Sequence, residues 1–324
     1  MDATVIFLAK RSRQSINDAS SRLPAIILAV MFTLCVRATQ AQQRTVALTF
    51  DDLPAAGTSS AAEARTFSIS ILDSLDRHHA PAIGFVIERR VQELAGEELL
   101  SEWVERGYDL GNHSLSHIEM NNLTTDQVEQ EIIGGEGAFA KALARAGKKT
   151  RYFRFPENHT GETKEKHDSV AAFLARRGYQ LAPCTIDNED YVFNAAYLKM
   201  LANKDEASAG RLRAQYLAYT ATETDYYAGM HKQIFGHEIP HVMLLHVNKL
   251  NADMIDNILA MFAQKQYSFV TLESALADPA YSIPDQFVTK EGWMWAYRWA
   301  KELGIRVNGS AETEPPDWIR HYGR

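Results

Sequence analysis

Val46-Ala47-Leu48-Thr49-Phe50-Asp51-Asp52 is a short apolar run closed by two carboxylates. It predicts a buried strand that delivers an acid pair at its C-terminal end. Outward from it, residues 61–79 set Phe67, Ile71, Leu72 and Leu75 at helical spacing, and 82–87 give the next strand. A helix is expected over 97–106, then a strand over 108–110 that opens onto Gly111-Asn112-His113. Thr124 or Thr125 caps a helix through 146, with Asp126 at its positive end. Strands follow over 152–155, 179–186, 242–247 and 269–272, with helices over 168–177, 195–227 and 253–266 between them. Strand–helix alternation repeated roughly seven times predicts an α/β fold. Its parallel sheet, covered by helices, closes or nearly closes into a distorted (β/α)7-type barrel.

The flanks differ from this core. Lys10, Arg11, Arg13 and Arg22 precede an apolar run over 23–36, and Thr39-Gln40-Ala41 supplies small residues suited to cleavage. The run is too short to span a bilayer comfortably, so 1–41 reads as an export signal or an N-terminal anchor. No stable membrane insertion is expected after cleavage. Residues 1–41 carry five Lys/Arg and two Asp, a net +3, so the remainder carries −10 against −7 for the whole chain. That acidity argues against nucleic acid and favours neutral or cationic substrates. Of the two cysteines only Cys184 lies beyond the signal, which excludes an intrachain disulfide and suits a bacterial periplasmic or secreted protein. The domain is expected over 42–280. Residues 281–324 form an aromatic-rich extension, read as a helix docked on the barrel or as a groove wall.

In α/β barrels the reacting groups stand at the C-terminal ends of strands. Asp51 and Asp52 end the first strand, His113 and His117 follow the third, and Arg154 ends the fourth. Asp187 and Asp190 follow the fifth, and His246 lies near the end of the sixth. His113 and His117 are four apart, so one helical turn would bring both imidazoles to one metal. An Asp from another strand end would complete a His₂Asp set with positions open to water. Asp51 and Asp52 should point to opposite sides if both continue the strand.

These residues, in this order, resemble the polysaccharide deacetylase family (NodB-homology, family 4 carbohydrate esterases). The motifs are Thr49-Phe50-Asp51-Asp52, His113-Ser-x-x-His117, Arg154-Phe155-Pro156, Asp187-Asn-Glu-Asp190-Tyr191 and Leu244-Leu245-His246. The resemblance implies a NodB-like barrel and removal of acetyl groups from N- or O-acetylated carbohydrate of chitooligosaccharide, peptidoglycan or xylan type. It implies one divalent metal on Asp52, His113 and His117: Zn²⁺ first, with Co²⁺, Ni²⁺ or Mn²⁺ accepted. Asp51 would be the general base oriented by Arg154, and His246, held protonated by Asp190, the general acid. A backbone N–H near Asp52 or Leu53 would assist the oxyanion. Pro156, Tyr191 and Leu245 would border the substrate groove.

Departures from the family pattern are Glu157 in place of an aromatic residue, Tyr191 in place of tryptophan, and a long helical interval before His246 that could cover the site. A metal-dependent amidase for a small non-sugar amide is the alternative. His237 and His241 also stand four apart, but Pro240 between them denies the helix a shared ligand face.

Overall fold

The computed structural model describes residues 43–149 and 151–323. The proposed export segment lies outside the described residues. The strands are β1 (Arg44–Leu53), β2 (Ala82–Val86), β3 (Asp109–Asn112), β4 (Tyr152–Phe153), β5 (Gln180–Leu181), β6 (His241–His246) and β7 (Tyr267–Val270). Every pairing is parallel, in the order β5-β4-β3-β2-β1-β6. β7 pairs with the first half of β1, from Arg44 to Ala47, while β2 takes the second half, from Leu48 to Leu53. β1 is thus enclosed along its length, and Val46, Ala47 and Phe50 have no exposed surface.

The strand expected over 179–186 is two residues long. Pro183 has no N–H for the ladder, and the chain resumes pairing only at Thr185 and Ile186. Thr185 N–H donates to Val242 O, and Leu244 N–H donates to Ile186 O, both at 2.9 Å. This bridge brings the curled sheet round to β6 and makes the barrel a distorted one.

Two helices expected as continuous are broken. Thr124 caps Thr125–Gly134, with Gln127 completing a reciprocal box. The chain then turns through Gly135 before Ala138–Arg145. A Cβ at Gly135 would lie 2.3 Å from Asn112 Oδ1 and 2.8 Å from the Ser114 backbone, so glycine lets this turn sit against the loop after β3. The second region divides at Asn203–Asp205 into Asp190–Ala202 and Glu206–Phe235, the latter capped by Asp205.

Residues after 281 join the main core through Trp295, Trp299 and Ile319. Arg298, 2% exposed, ties them to the loop after β4. It donates to Asn158 O at 2.8 Å and to Thr160 Oγ1 and Asp285 Oδ2 at 2.9 Å.

His231 of Glu206–Phe235 and His241 of β6 face each other without exposed surface, their rings 5.2 Å apart. His241 therefore meets His231 and not His237. Burial first, and then the neighbouring imidazole, hold His231 well below the usual histidine value. The unfolded chain takes up a proton near the ordinary value of about 6.5, and the folded chain does not. Stability is therefore complete above that pH and falls as pH drops below it, by up to about 1.4 kcal/mol per unit for this group. His231→Phe, set among Tyr227, Phe235 and Trp299, should flatten the fall in melting temperature between pH 7 and 5. Equal pH slopes in the two proteins would refute this.

Candidate metal centre and active site

β1 does not carry its two aspartates to opposite sides as a regular strand would. Phe50 pairs with Gly84 and Leu53 with Val86, so β1 holds one extra residue over this interval. Asp52 absorbs it at φ 63, in the left-handed region open to a short polar side chain. The bulge turns Asp52 so that both carboxylates border one cavity.

His113 and His117 likewise converge without the expected helical turn. Ser114 at φ 72 and His117 at φ 55 reverse the chain between them. Asn112 Oδ1 accepts from Ser114 N–H at 2.8 Å, and Ser114 Oγ accepts from His117 N–H at 3.0 Å. Glu131, from the helix Thr125–Gly134, accepts from Ser116 N–H at 2.9 Å. Such Asx- and Ser-type turns do the work that a helix would otherwise do.

The imidazoles meet Asp52 at comparable distances. Asp52 Oδ1 lies 3.6 Å from His113 Nε2 and 3.7 Å from His117 Nε2. Tetrahedral coordination at about 2.0–2.1 Å places ligand atoms about 3.4 Å apart, so these separations fit a single ion. Asp52 Oδ1 is buried and has no hydrogen-bond partner in the protein, as expected of an atom reserved for a cation. His113 Nδ1–H donates to Arg154 O at 3.0 Å, which fixes the tautomer and leaves the Nε2 lone pair toward Asp52. Burial, reinforced by His117, pushes His113 down to about 3, so it stays a neutral ligand. The donor set fits a divalent metal of the kind that imidazole and carboxylate hold.

Two ion pairs flank this centre. Asp51, 4% exposed, receives Arg154 Nη1 at 2.8 Å; the same nitrogen donates to Thr49 Oγ1 at 2.7 Å. Thr49, quoted only as part of a motif, thus helps to seat the guanidinium. His246 Nδ1–H donates to Asp190 Oδ1 at 2.6 Å, and His246 N–H to Asp190 Oδ2 at 2.8 Å. Burial alone would lower His246, but the charge and hydrogen bond of Asp190 raise it to about 10. Asp187 also borders the cavity; burial, opposed by the Glu189 N–H, pushes it up to about 6.

Sequence reasoning missed the support behind Asp190. Asn251 Nδ2 donates to Asp190 Oδ2 and, at 2.9 Å, to His246 O. Tyr216 OH donates to Asn251 Oδ1 at 2.6 Å, and Asn188 Nδ2 donates to Tyr216 OH at 2.8 Å. The only signal for this set was polar residues spaced like core positions, Asn248-x-x-Asn251 and Tyr216-x-x-x-Thr220.

The cavity holds about 660 Å³. Tyr191, Asn194 and Leu198 wall it from the helix Asp190–Ala202, whereas no residue of Glu206–Phe235 borders it. The long interval therefore builds one wall and a buttress and does not cover the mouth. Tyr191 borders the cavity, 55% exposed, and Pro156 and Leu245 do not. Side chains alternate along β6, so Leu244 and His246 face the site while Leu245 enters the core. Phe155 and Glu157 stand there in place of buried Pro156. His159 is no solvated loop residue: its Nδ1 pairs with Glu119 at 2.8 Å and its side chain is 12% exposed.

A polysaccharide deacetylase family model matches residues 38–180, which include Asp51, Asp52, His113, His117 and Arg154. Over these residues the chain is similar to the polysaccharide deacetylase family. It is 28% identical over 138 residues to a peptidoglycan-N-acetylglucosamine deacetylase of Bacillus cereus, spanning 43% of this chain and 55% of that one. It is 28% identical over 146 residues to a chitooligosaccharide deacetylase of Sinorhizobium fredii, spanning 45% and 59%. The chain thus matches little more than half the length of these relatives. Among solved structures, a polysaccharide deacetylase from Bacillus cereus superposes with a TM-score of 0.51 at 20% identity, over 71% of this chain and 92% of that one. A family 4 pseudoenzyme from Bacillus anthracis superposes with a TM-score of 0.50 at 16% identity, over 72% and 66%. Both share the NodB-like barrel fold.

The two aspartates are separable by metal content. Asp51→Asn should retain about one ion per chain by plasma mass spectrometry, because Asp51 serves Arg154. Asp52→Asn should lose at least about tenfold in metal affinity. Metal lost in the first variant and kept in the second would reverse the assignment.

Proposed function

We propose that the protein is a divalent-metal-dependent deacetylase of N- or O-acetylated carbohydrate, exported to the bacterial envelope. One observation carries the reading. A His₂Asp donor set with an unpaired carboxylate oxygen shares its cavity with an arginine-fixed carboxylate and a carboxylate-held imidazole. Two of the relatives are named for peptidoglycan and chitooligosaccharide. Among the described residues no helix is long and apolar enough to cross a membrane.

Asp52, His113 and His117 would hold the ion, zinc before cobalt, nickel or manganese. When bound it supplies Lewis-acid polarisation of the acyl oxygen and of water. Asp51 accepts the proton of the attacking water, with Arg154 holding its second oxygen and fixing its direction. His246, protonated through neutral pH, gives a proton to the departing nitrogen or oxygen as the acyl C–N or C–O bond breaks. Acetate and a free amine or hydroxyl result. Asp190 keeps the imidazole charged and correctly turned.

Acetate release from chitooligosaccharides, peptidoglycan and acetylxylan, with and without chelator, tests this. Activity should vanish on chelation and return with Zn²⁺, Co²⁺, Ni²⁺ or Mn²⁺; activity surviving in metal-free protein would sink it. Turnover of small non-sugar amides alone would establish the amidase alternative. In the same assay, the basic limb of kcat/KM should lie above the ordinary imidazole range for the native enzyme, because Asp190 holds the proton on His246. Asp190→Asn should move that limb down toward the ordinary imidazole value of about 6.5. Turnover should fall by about 10²–10⁴-fold. An unmoved limb would remove His246 as the acid.

A further inference from the structure

The geometry points to a second saccharide subsite, built by the C-terminal segment around Trp293, that makes this a deacetylase of oligomeric glycans. The inference rests on the carbohydrate reading above. Beside the catalytic cavity lies an open hollow of about 390 Å³, bordered by Gly292, Trp293, Met294, Tyr297, Gly309 and Glu312. Gly292 borders both. A Cβ at Gly292 would lie 1.7 Å from Glu157 O, so the segment lies directly against the loop after β4. With glycine at 292, no side chain rises from that shared edge.

The three tryptophans of the segment differ in exposure. Trp295 and Trp299 are 5% and 3% exposed and belong to the core, as a docked helix requires. Trp293 is 43% exposed and yet oriented. Its ring meets Phe287 and Tyr297 at centroid distances of 5.2 and 5.9 Å, and its Nε1 donates to Glu291 at 3.2 Å. Buried Arg298 donates to Trp293 O at 2.9 Å and to Asn158 O at 2.8 Å. One guanidinium thus ties the Trp293 backbone to Asn158, a residue that borders the catalytic cavity. Preorganisation of this kind lowers the ordering cost of binding.

A pyranose offers an apolar C–H face and a rim of hydroxyls. An exposed indole face matches the first, and its own polar edge leaves the rim hydrated. Glu312, which accepts hydrogen bonds from Tyr227 and Tyr297, supplies a fixed carboxylate for sugar hydroxyls. The chain's acidity disfavours an anionic occupant. Tyr191, exposed on the catalytic cavity, would receive the sugar that bears the scissile acetyl group, and Trp293 its neighbour along the chain.

N-acetylglucosamine and chitooligosaccharides up to the hexamer, with 4-nitrophenyl acetate as a substrate too small to span both hollows, test the subsite. Native kcat/KM should rise from the monomer to the dimer, the first length that reaches both hollows. Trp293→Ala should raise KM for the dimer and longer chains about tenfold, with kcat, monomer turnover and aryl-ester turnover little changed. Trp293→Phe should recover part of the loss. An unchanged length dependence in Trp293→Ala, or an equal loss on every substrate, would overturn the subsite. Native enzyme that cleaves the aryl ester but no oligosaccharide refutes the carbohydrate reading itself; cleavage with no length dependence refutes only the subsite.

Discussion

Arg154 is the group on which the site depends. Its side chain, 1% exposed, donates to Thr49 and Asp51 of β1 and to Ala182 O beyond β5, and it lies 4.4 Å from the centre of the Phe85 ring of β2. Its own backbone is shared as well: the N–H donates to Asn112 O of β3, and the carbonyl accepts from His113. One residue therefore sets the direction of the proposed base and the tautomer of a proposed metal ligand. A buried ion pair is weak evidence for stability, because desolvation consumes most of the Coulombic gain. The pair is better understood as a device for direction: with Arg154 in place, Asp51 has one orientation and His113 one ring nitrogen to offer.

That arrangement explains how the chemistry is divided. Asp52 Oδ1 is kept free of hydrogen bonds, whereas Asp51 is saturated on one oxygen by the guanidinium. Across the cavity the same logic applies to an imidazole. Asp190 takes His246 and is itself backed by Asn251 and Tyr216, so the helix Glu206–Phe235 reaches the pair through two hydrogen bonds without bordering the cavity. An insertion that looked in sequence like a cover proves to be a brace.

The alternation of strands and helices was legible because each strand is an apolar run and each helix has a spaced apolar face. The candidate reacting groups could be placed at strand ends for the same reason. What could not be read was local. Asp52 and Ser114 adopt left-handed backbone conformations that no periodicity announces, and these set whether neighbouring side chains converge. The break at Gly135 was hidden because a glycine within a helical pattern signals either a cost or a close approach, and only the packed Asn112–Ser114 loop decides between them. Arg298 was invisible as a structural residue, since charge in sequence reads as surface until the partners that bury it are known.

The C-terminal segment follows from that last point. Arg298 could have been exposed on a helix that packs through its tryptophans alone. It lies inside, satisfied by Asn158 O, Thr160, Asp285 and Trp293 O, and these partners belong to two stretches of chain far apart in sequence. A buried, fully bonded guanidinium costs more to place than an apolar residue of the same volume. The segment and the loop after β4 are consequently positioned as one body, and that body borders the catalytic cavity through Glu157, Asn158 and Gly292. A C-terminal segment held so closely to the wall of this cavity shapes the candidate site as well as the core.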